Sequence, residues 1–198
     1  HVTHAAPLAQ QQQKQLAVLF MGLDRFKLVN DTLGHAAGDT LLREVAARLK
    51  SLNSDGVSIA RFGADVFALL VEGLEQSSEV DACVAMLMER MAEPLTIQGQ
   101  EFFITSSVGI SLFPHDGSDA ESLIKAADTA MFRAKEAGGQ QYQYFTADMN
   151  VLAQQRLQTE NELRKALERD EFQVFYQPQV DAKTRKIVSM EALIRWFH

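Results

Sequence analysis

Residues Ile59 to Val71 read I-A-R-F-G-A-D-V-F-A-L-L-V, and this stretch decides how the chain folds. Two apolar runs flank a tight break at Gly63-Ala64-Asp65. A small residue with freedom to take a positive φ, followed by an Asx-type turn former, is typical of a β-hairpin. The stretch therefore predicts two antiparallel strands joined by a tight turn.

A second apolar run lies near the start of the chain and leads into a polar segment. Leu16 to Phe26 reads L-A-V-L-F-M-G-L-D-R-F, and K-L-V-N-D-T-L-G-H-A-A-G-D follows to Asp39. A continuous apolar run of strand length predicts a strand that is covered on both faces. Asp24 predicts the N-cap of a short helix that stops at Gly34, and a second helix is predicted to begin at Asp39.

Together these two stretches resemble the GGDEF family of diguanylate cyclases. That family's hairpin reads R-x-G-G-(D/E)-E-F, and its first strand leads through x-D-x-D-x-F-K-x-x-N-D-x-x-G-H-x-x-G-D. The resemblance covers most of residues 16 to 145. It implies an α+β fold of the nucleotidyl cyclase type, a ferredoxin-like palm with a central antiparallel sheet and helices on one face. The family's usual opening, D-x-L-T-G-L-P-N-R, is absent, so we expect a domain that is clipped at its N-terminus.

The pattern changes from Asp148 onwards. A long polar helix is predicted first, and two strands follow, joined by Asp181 to Arg185. Y-Q-P at Tyr176 to Pro178 and E-A-L-I-R-W at Glu191 to Trp196 resemble the opening of the EAL family of cyclic-di-GMP phosphodiesterases. We therefore expect a degenerate GGDEF domain at 1–147, a linker helix at 148–170, and at 171–198 the first strands of a truncated EAL domain, whose complete form is a barrel.

The resemblance to the cyclases fails at the positions that would hold the metal. Attack of a ribose hydroxyl on an α-phosphate depends on carboxylates that hold Mg²⁺ against the phosphates. The family's metal ligands match Gly22 and Val66 in this chain, and neither side chain offers an oxygen. The whole turn is therefore expected to be catalytically degenerate: Gly63, Ala64, Asp65, Val66 and Phe67.

Two further family motifs are also altered. In A-M-F-R-A-K-E-A-G-G, Lys135 matches a lysine that reaches the phosphates, whereas Gly139 stands where the family has an arginine. The family's feedback-inhibition motif, R-x-x-D, would fall on Ser54 to Val57 and is absent. The resemblance thus implies a weakened phosphate end of the site.

The residues that would contact the purine base match the family motif better. Asn30 and Asp39 match its base-recognition pair, and Lys27 and Lys135 are the other expected nucleotide-binding residues. A local interpretation is also open and is slightly favoured, because Asp39 stands where a helix N-cap is expected and Asn30 could satisfy a turn. If these residues read the base, GTP is the ligand of this part. No metal is expected to bind tightly here.

For the EAL part, the resemblance implies Glu191 as a metal ligand, Arg195 as a phosphate contact and Gln177 near the dinucleotide. Mg²⁺ or Mn²⁺ is expected in a complete EAL domain, with cyclic-di-GMP as its ligand. A carboxylate among apolar neighbours at a strand end also costs free energy without a cation, which favours the metal role of Glu191.

Composition and charge exclude some classes of protein. The net charge of −7 argues against a nucleic-acid-binding protein, which needs a basic stripe. No apolar run approaches the roughly 20 residues of a membrane span, and no signal peptide is recognisable. Cys83 is the single cysteine, so an internal disulfide is excluded. We expect a bacterial cytoplasmic protein, or the cytoplasmic part of a membrane-bound one.

The expected function is a catalytically inactive GGDEF domain that regulates or scaffolds the adjacent EAL domain of a cyclic-di-GMP signalling protein. One alternative is a weakly active cyclase in which Asp24 and Asp65 hold the metal. Another is a purely structural dimerisation module, and a homodimer is an expected assembly. The full-length protein is expected to hydrolyse or bind cyclic-di-GMP.

Overall fold

The computed structural model describes residues 1–52, 56–97 and 99–197, which divide into two compact units at residues 1–150 and 151–198. The helices are α1 Val2–Gln12, α2 Phe26–Leu33, α3 His35–Lys50, α4 Ser78–Ala92, α5 Ala120–Glu136 and α6 Ala147–Glu168. The strands are β1 Gln15–Leu23, β2 Val57–Arg61, β3 Val66–Leu74, β4 Leu95–Ile97, β5 Gln100–Phe102, β6 Ser106–Phe113, β7 Tyr142–Tyr144, β8 Phe172–Val180 and β9 Ile187–Trp196. Within the described ranges, no helix is long and apolar enough to cross a bilayer.

The first unit is built on a five-stranded sheet with the order β2-β3-β1-β6-β7. The central strand β1 pairs antiparallel with both β3 and β6, which confirms the predicted α+β palm. The edge strand β7 departs from the antiparallel expectation because it pairs parallel with β6. Helix α5 connects these two strands, and a helical crossover is the connection that parallel neighbours require.

The predicted hairpin is confirmed as β2 and β3, which pair from Val57 opposite Val71 to Arg61 opposite Phe67. Both backbone and side-chain hydrogen bonds stabilise its turn. Val66 O accepts the N–H groups of Phe62 and Gly63 at 2.9 and 3.2 Å. The Arg61 guanidinium donates to the carbonyls of Gly63 and Ala64 at 3.0 and 2.8 Å.

Helices cover both faces of this sheet, which corrects the expectation of helices on one face. Strand β1 shows why, since its side chains alternate between two separate apolar clusters. One cluster contains Leu19 and Met21 with residues of α3 and α4, and the other contains Val18 and Phe20 with residues of α1 and α5. The uninterrupted apolar run of β1 is therefore buried on both sides, as its sequence predicted.

Helices α2 and α3 begin at residues other than the predicted ones. The N-cap of α2 is Arg25, with a φ of 56° and no side-chain cap, so the prediction that Asp24 caps this helix is wrong. Helix α3 begins at His35, directly after Gly34, and Asp39 lies inside it. The single residue Gly34, with a φ of 83°, suffices to separate the two helices because glycine accepts this conformation without strain.

Helix α5 lies against strand β6 at close range. A Cβ built on Gly109 would collide with Met131 N and Ala127 O of the helix backbone, so only glycine permits this approach. The helix begins with a capping box in which Asp119 accepts from Ser122 N at 2.8 Å. These contacts fix the axis of the helix that carries Lys135.

The second unit contains an antiparallel pair, β8 and β9, which confirms the two strands predicted there. Glu171 ties the ends of the pair together, because its Oε2 accepts from Trp196 Nε1 at 3.0 Å and its carbonyl accepts from Phe197 N. The predicted helix of this region is α6. Its role as a linker stays a prediction.

Candidate functional site

Strands β1 and β3 place Gly22 and Val66 directly opposite each other. The Cβ atoms of such a cross-strand pair are about 4.5–5.5 Å apart, so two carboxylates at these positions could share one cation. Glycine and valine provide no such oxygen. Among the described residues, no cluster of three or more histidine, cysteine or acidic side chains could hold a metal ion. The donor set therefore does not fit Mg²⁺, which needs several oxygen ligands in octahedral geometry.

The side chain of Lys135 fills the space above Gly22. A Cβ built on Gly22 would lie 2.6 Å from both Cε and Nζ of Lys135 and 2.9 Å from Met131 Sδ. Lys135 Nζ donates to Asp65 Oδ2 at 3.3 Å, and both side chains are 30% exposed. An ammonium paired with a carboxylate thus lies where a side chain at position 22 would point.

The carboxylate of Asp24 is bound by three protein donors. Thr105 Oγ1 donates to its Oδ2 and Ser107 Oγ to its Oδ1, both at 2.7 Å. The backbone N–H of Gln140 donates to Oδ2 at 3.0 Å. Asp24 therefore joins the end of β1 to the start of β6 and to the turn after α5. Both of its carboxylate oxygens accept structural hydrogen bonds.

Gly139, which stands where the family motif has an arginine, lies close to the same carboxylate. It has a φ of 75°, and a Cβ built on it would lie 2.9 Å from Asp24 Oδ2. A side chain at position 139 would be strained by the backbone conformation and would collide with Asp24. Glycine is therefore the residue that fits position 139 in this packing.

Asn30 and Asp39, the expected base-reading pair, lie beside each other on α2 and α3. A Cβ built on Gly38 would collide with Asn30 Oδ1, so the carbonamide lies against the α3 backbone next to Asp39. Within the described part of the chain, no hydrogen bond holds either side chain, and Asp39 is exposed. The capping interpretation of Asp39 is wrong because the N-cap of α3 is Gly34.

An open cleft of about 520 Å³ lies between α3 and the β2–β3 hairpin, next to Asp39. Apolar side chains form its walls and three cationic residues stand at its edges, which suits a flat base with an anionic group. The cleft is lined by Asp39, Leu42, Arg43, Ala46, Lys50, Ile59, Ala60, Arg61 and Phe67. Sequence reasoning missed Arg43, although its spacing of four from Asp39 places both on one helix face.

The other predicted nucleotide contacts do not line this cleft. Lys135 lies with Gly22 and Asp65. Lys27 is exposed on α2 and does not line that cleft. Ser54, the first position of the missing inhibitory motif, is outside the described residues.

The three predicted EAL residues lie on one face of the β8–β9 pair. Gln177 is the cross-strand partner of Glu191, and Arg195 follows Glu191 by four residues, which returns to the same face of a strand. Glu191 is exposed. Its charge is therefore solvated in this unit, so burial gives no reason for a cation here. The metal role of Glu191 stays a prediction.

Comparisons with known proteins match both parts of the chain. The family model described as "Diguanylate cyclase, GGDEF domain" matches residues 1–141, and the model described as "EAL domain" matches residues 160–198. Two curated relatives from Pseudomonas aeruginosa are similar over 93% of the chain. They are the cyclic di-GMP phosphodiesterase NbdA, at 41% identity, and the bifunctional diguanylate cyclase/cyclic di-GMP phosphodiesterase MucR, at 42%.

The solved structures agree with the sequence relatives. The isolated GGDEF domain of TpbB, also called YfiN, from Pseudomonas aeruginosa superposes with a TM-score of 0.74 at 31% identity. That match covers 77% of this chain and 89% of the solved one. The chain spans about a quarter of the length of the curated relatives, 24% for NbdA and 27% for MucR.

Proposed function

Because the chain belongs to the diguanylate cyclase GGDEF family and its residues 160–198 match an EAL domain, we propose that its GGDEF part is catalytically inactive, binds GTP and regulates the EAL domain. The observation that carries this proposal is an ion pair, Lys135 with Asp65, at the place where the family resemblance implies a metal site. Gly22 and Val66 face each other without a carboxylate, and the Lys135 ammonium lies above the glycine.

Phosphoryl transfer at this site lacks its main source of catalysis. The reaction is accelerated mostly by positioning and by cations that neutralise charge on the phosphates. One ammonium provides a single positive charge and cannot coordinate oxygens of both the attacking and the leaving group as a metal does. This chain's own residues can hold a nucleotide, but they offer no carboxylate that would place a metal at the reacting atoms.

The purine end supports binding. Asp39 lines the apolar cleft and Asn30 lies with its amide against Gly38 of α3, and no cap or turn uses either side chain in the described residues. An amide offers both donor and acceptor, and a carboxylate accepts two donors, which suits the edge of guanine. GTP binding without turnover would give the protein a way to sense the nucleotide.

One experiment distinguishes the proposed inactive domain from the alternative, a weakly active cyclase. It requires Asp24 and Asp65 to hold the metal, yet Asp24 accepts from three donors and Asp65 is paired with Lys135. We would titrate the protein with GTP, with and without Mg²⁺ or Mn²⁺, and assay the mixture for cyclic-di-GMP. We expect binding without product. Product formation would refute inactivity, and an absence of binding would leave the structural dimerisation module, which sedimentation of the free protein would test.

The EAL part of the proposal concerns a longer protein. The relative NbdA is named a phosphodiesterase and MucR a bifunctional enzyme. By similarity, a protein that carries the complete EAL domain is expected to hydrolyse cyclic-di-GMP with Mg²⁺ or Mn²⁺ in the cytoplasm. Glu191→Gln is expected to abolish hydrolysis, and GTP is expected to change its rate. A rate that is independent of GTP would argue against the regulatory role.

A further inference from the structure

We infer that the Lys135 ammonium takes the place of the divalent metal, so that this site binds the phosphates of free GTP more tightly than those of Mg²⁺-bound GTP. This inference rests on the proposed binding of GTP and states how the affinity for GTP depends on Mg²⁺. Lys135 is proposed to contact the phosphates, whereas Asn30 and Asp39 are proposed to contact the base.

The space above Gly22 can hold one group only. The Cε and Nζ atoms of Lys135 lie 2.6 Å from where a Cβ at position 22 would be, and Met131 Sδ lies at 2.9 Å. Any side chain at this position would push the lysine away. The absence of a carboxylate at position 22 is therefore the condition that lets the ammonium lie here.

Lys135 is held in this place by its surroundings. Its helix lies directly on β6 at Gly109, and its Nζ donates to Asp65 Oδ2 at 3.3 Å. Asp65 is fixed in turn, because its carbonyl accepts from Leu23 N at 3.0 Å. The cation is therefore positioned before any nucleotide binds, which reduces the entropy that binding would lose.

The electrostatic consequence is a preference between two forms of the same nucleotide. With Asp65 accepting from one N–H of Lys135, the ammonium still has N–H groups that attract a phosphate of free GTP, whereas Asp65 is not free to bind Mg²⁺. Magnesium that is already bound to GTP neutralises two of the charges on which this attraction depends. No described carboxylate cluster is available to compensate by binding the metal. Excess Mg²⁺ is therefore expected to weaken binding.

The test is calorimetric titration of the protein with GTP in EDTA and again in excess Mg²⁺. The wild-type protein is expected to bind several-fold more tightly in EDTA. Lys135→Met is expected to lower the affinity in EDTA about tenfold, the size of one charge-assisted hydrogen bond, and to remove the difference between the two conditions. Lys125→Met removes the same charge from an exposed position on the same helix and is the matched control.

Gly22→Ala provides a second, independent variant. It keeps the charge of Lys135 but displaces the side chain, so it is expected to reproduce part of the loss. Guanosine, which has no phosphate, is expected to bind wild type and Lys135→Met equally. Circular dichroism would establish that each variant is folded.

The outcomes separate this inference from the proposed function. If guanosine binds, and GTP binds equally well to wild type and Lys135→Met, the counter-ion role is refuted while the guanine site stands. Tighter binding of GTP in Mg²⁺ than in EDTA would also refute it. If neither guanosine nor GTP binds, both proposals fail.

Discussion

The two ends of the candidate nucleotide site use the same backbone framework but differ in what their side chains can do. At the metal–phosphate end, formed by Gly22, Asp65, Val66 and Lys135, the strands lie in register while the expected carboxylates are absent. At the purine end, formed by Asn30, Gly38 and Asp39, both the packing and the polar groups are present. Strand register depends on backbone hydrogen bonds and apolar alternation. A site can therefore keep its geometry while the chemistry of one end is replaced.

The largest expected effect tests whether Asp24, beside the metal–phosphate end, is structural. Asp24→Ala removes the acceptor of three hydrogen bonds and leaves the buried Ser107 hydroxyl without this partner. We expect the free energy of unfolding in urea to fall by about 3 kcal/mol. Asp31→Ala, at an exposed position on α2, is the control and should change it by less than about 0.5 kcal/mol. Unchanged stability with a loss of metal-dependent GTP binding would instead make Asp24 a ligand.

The second largest effect is expected from a variant at the purine end. Asp39→Asn removes a charged acceptor from the cleft, and hydrogen bonds to charged groups are worth about 1.5–3 kcal/mol. We expect the affinity for both guanosine and GTP to fall by roughly thirtyfold, measured by calorimetry. Glu44→Gln, an exposed carboxylate of the same helix, should leave both affinities unchanged. Equal losses in the two variants would indicate a general charge effect rather than contact with the base.

Restoring carboxylates would bring the metal–phosphate end closer to the metal site that the family resemblance implies. In the double variant Gly22→Asp with Val66→Glu, the new Cβ at position 22 would displace Lys135, and the two carboxylates would face each other across the strands. We expect Mg²⁺ to strengthen GTP binding about tenfold in this variant. The uncharged pair Gly22→Asn with Val66→Gln controls for size. If Mg²⁺ did not change the GTP affinity of the double variant, groups other than these two carboxylates would also be required.

The smallest expected effect concerns Asp128, on the same helix as Lys135. Burial raises the pKa of Asp128, and the charge of Lys135 opposes this shift. A raised pKa in the folded state means that the charged form costs stability above that pKa. The cost disappears below the ordinary aspartate pKa, where the side chain is neutral in both states.

Asp128→Asn should therefore raise the unfolding temperature at pH 7 by about 1–2 °C and leave it unchanged near pH 3. The gain is small because the side chain is only partly buried and solvent screens its charge. Thermal unfolding at the two pH values measures it, with Asp31→Asn as the matched loss of charge. A gain at pH 3 as large as that at pH 7 would exclude an electrostatic cause.

Much of the fold could be predicted because its signals are local. The alternation and turn residues between Ile59 and Val71 predict the hairpin, and the apolar run from Leu16 predicts the central strand. The starts of α2 and α3 were predicted less well. Asp24 has the right residue type for an N-cap, but its oxygens bind Thr105 and Ser107, which the packing of β6 brings beside it. A competing partner from a distant strand cannot be recognised in a sequence window.

The sequence by itself determined which side chains the site contains, above all that positions 22 and 66 carry no carboxylate and that an asparagine and an aspartate stand at the purine end. Only the tertiary structure decided what those positions do. It placed the ammonium of Lys135 over Gly22, engaged Asp24 in hydrogen bonds, and laid Asn30 against Gly38 beside Asp39. The physical reason is that residue type and periodicity act over a few neighbouring residues. The occupancy of a space and the partners of a charge depend instead on how remote elements pack.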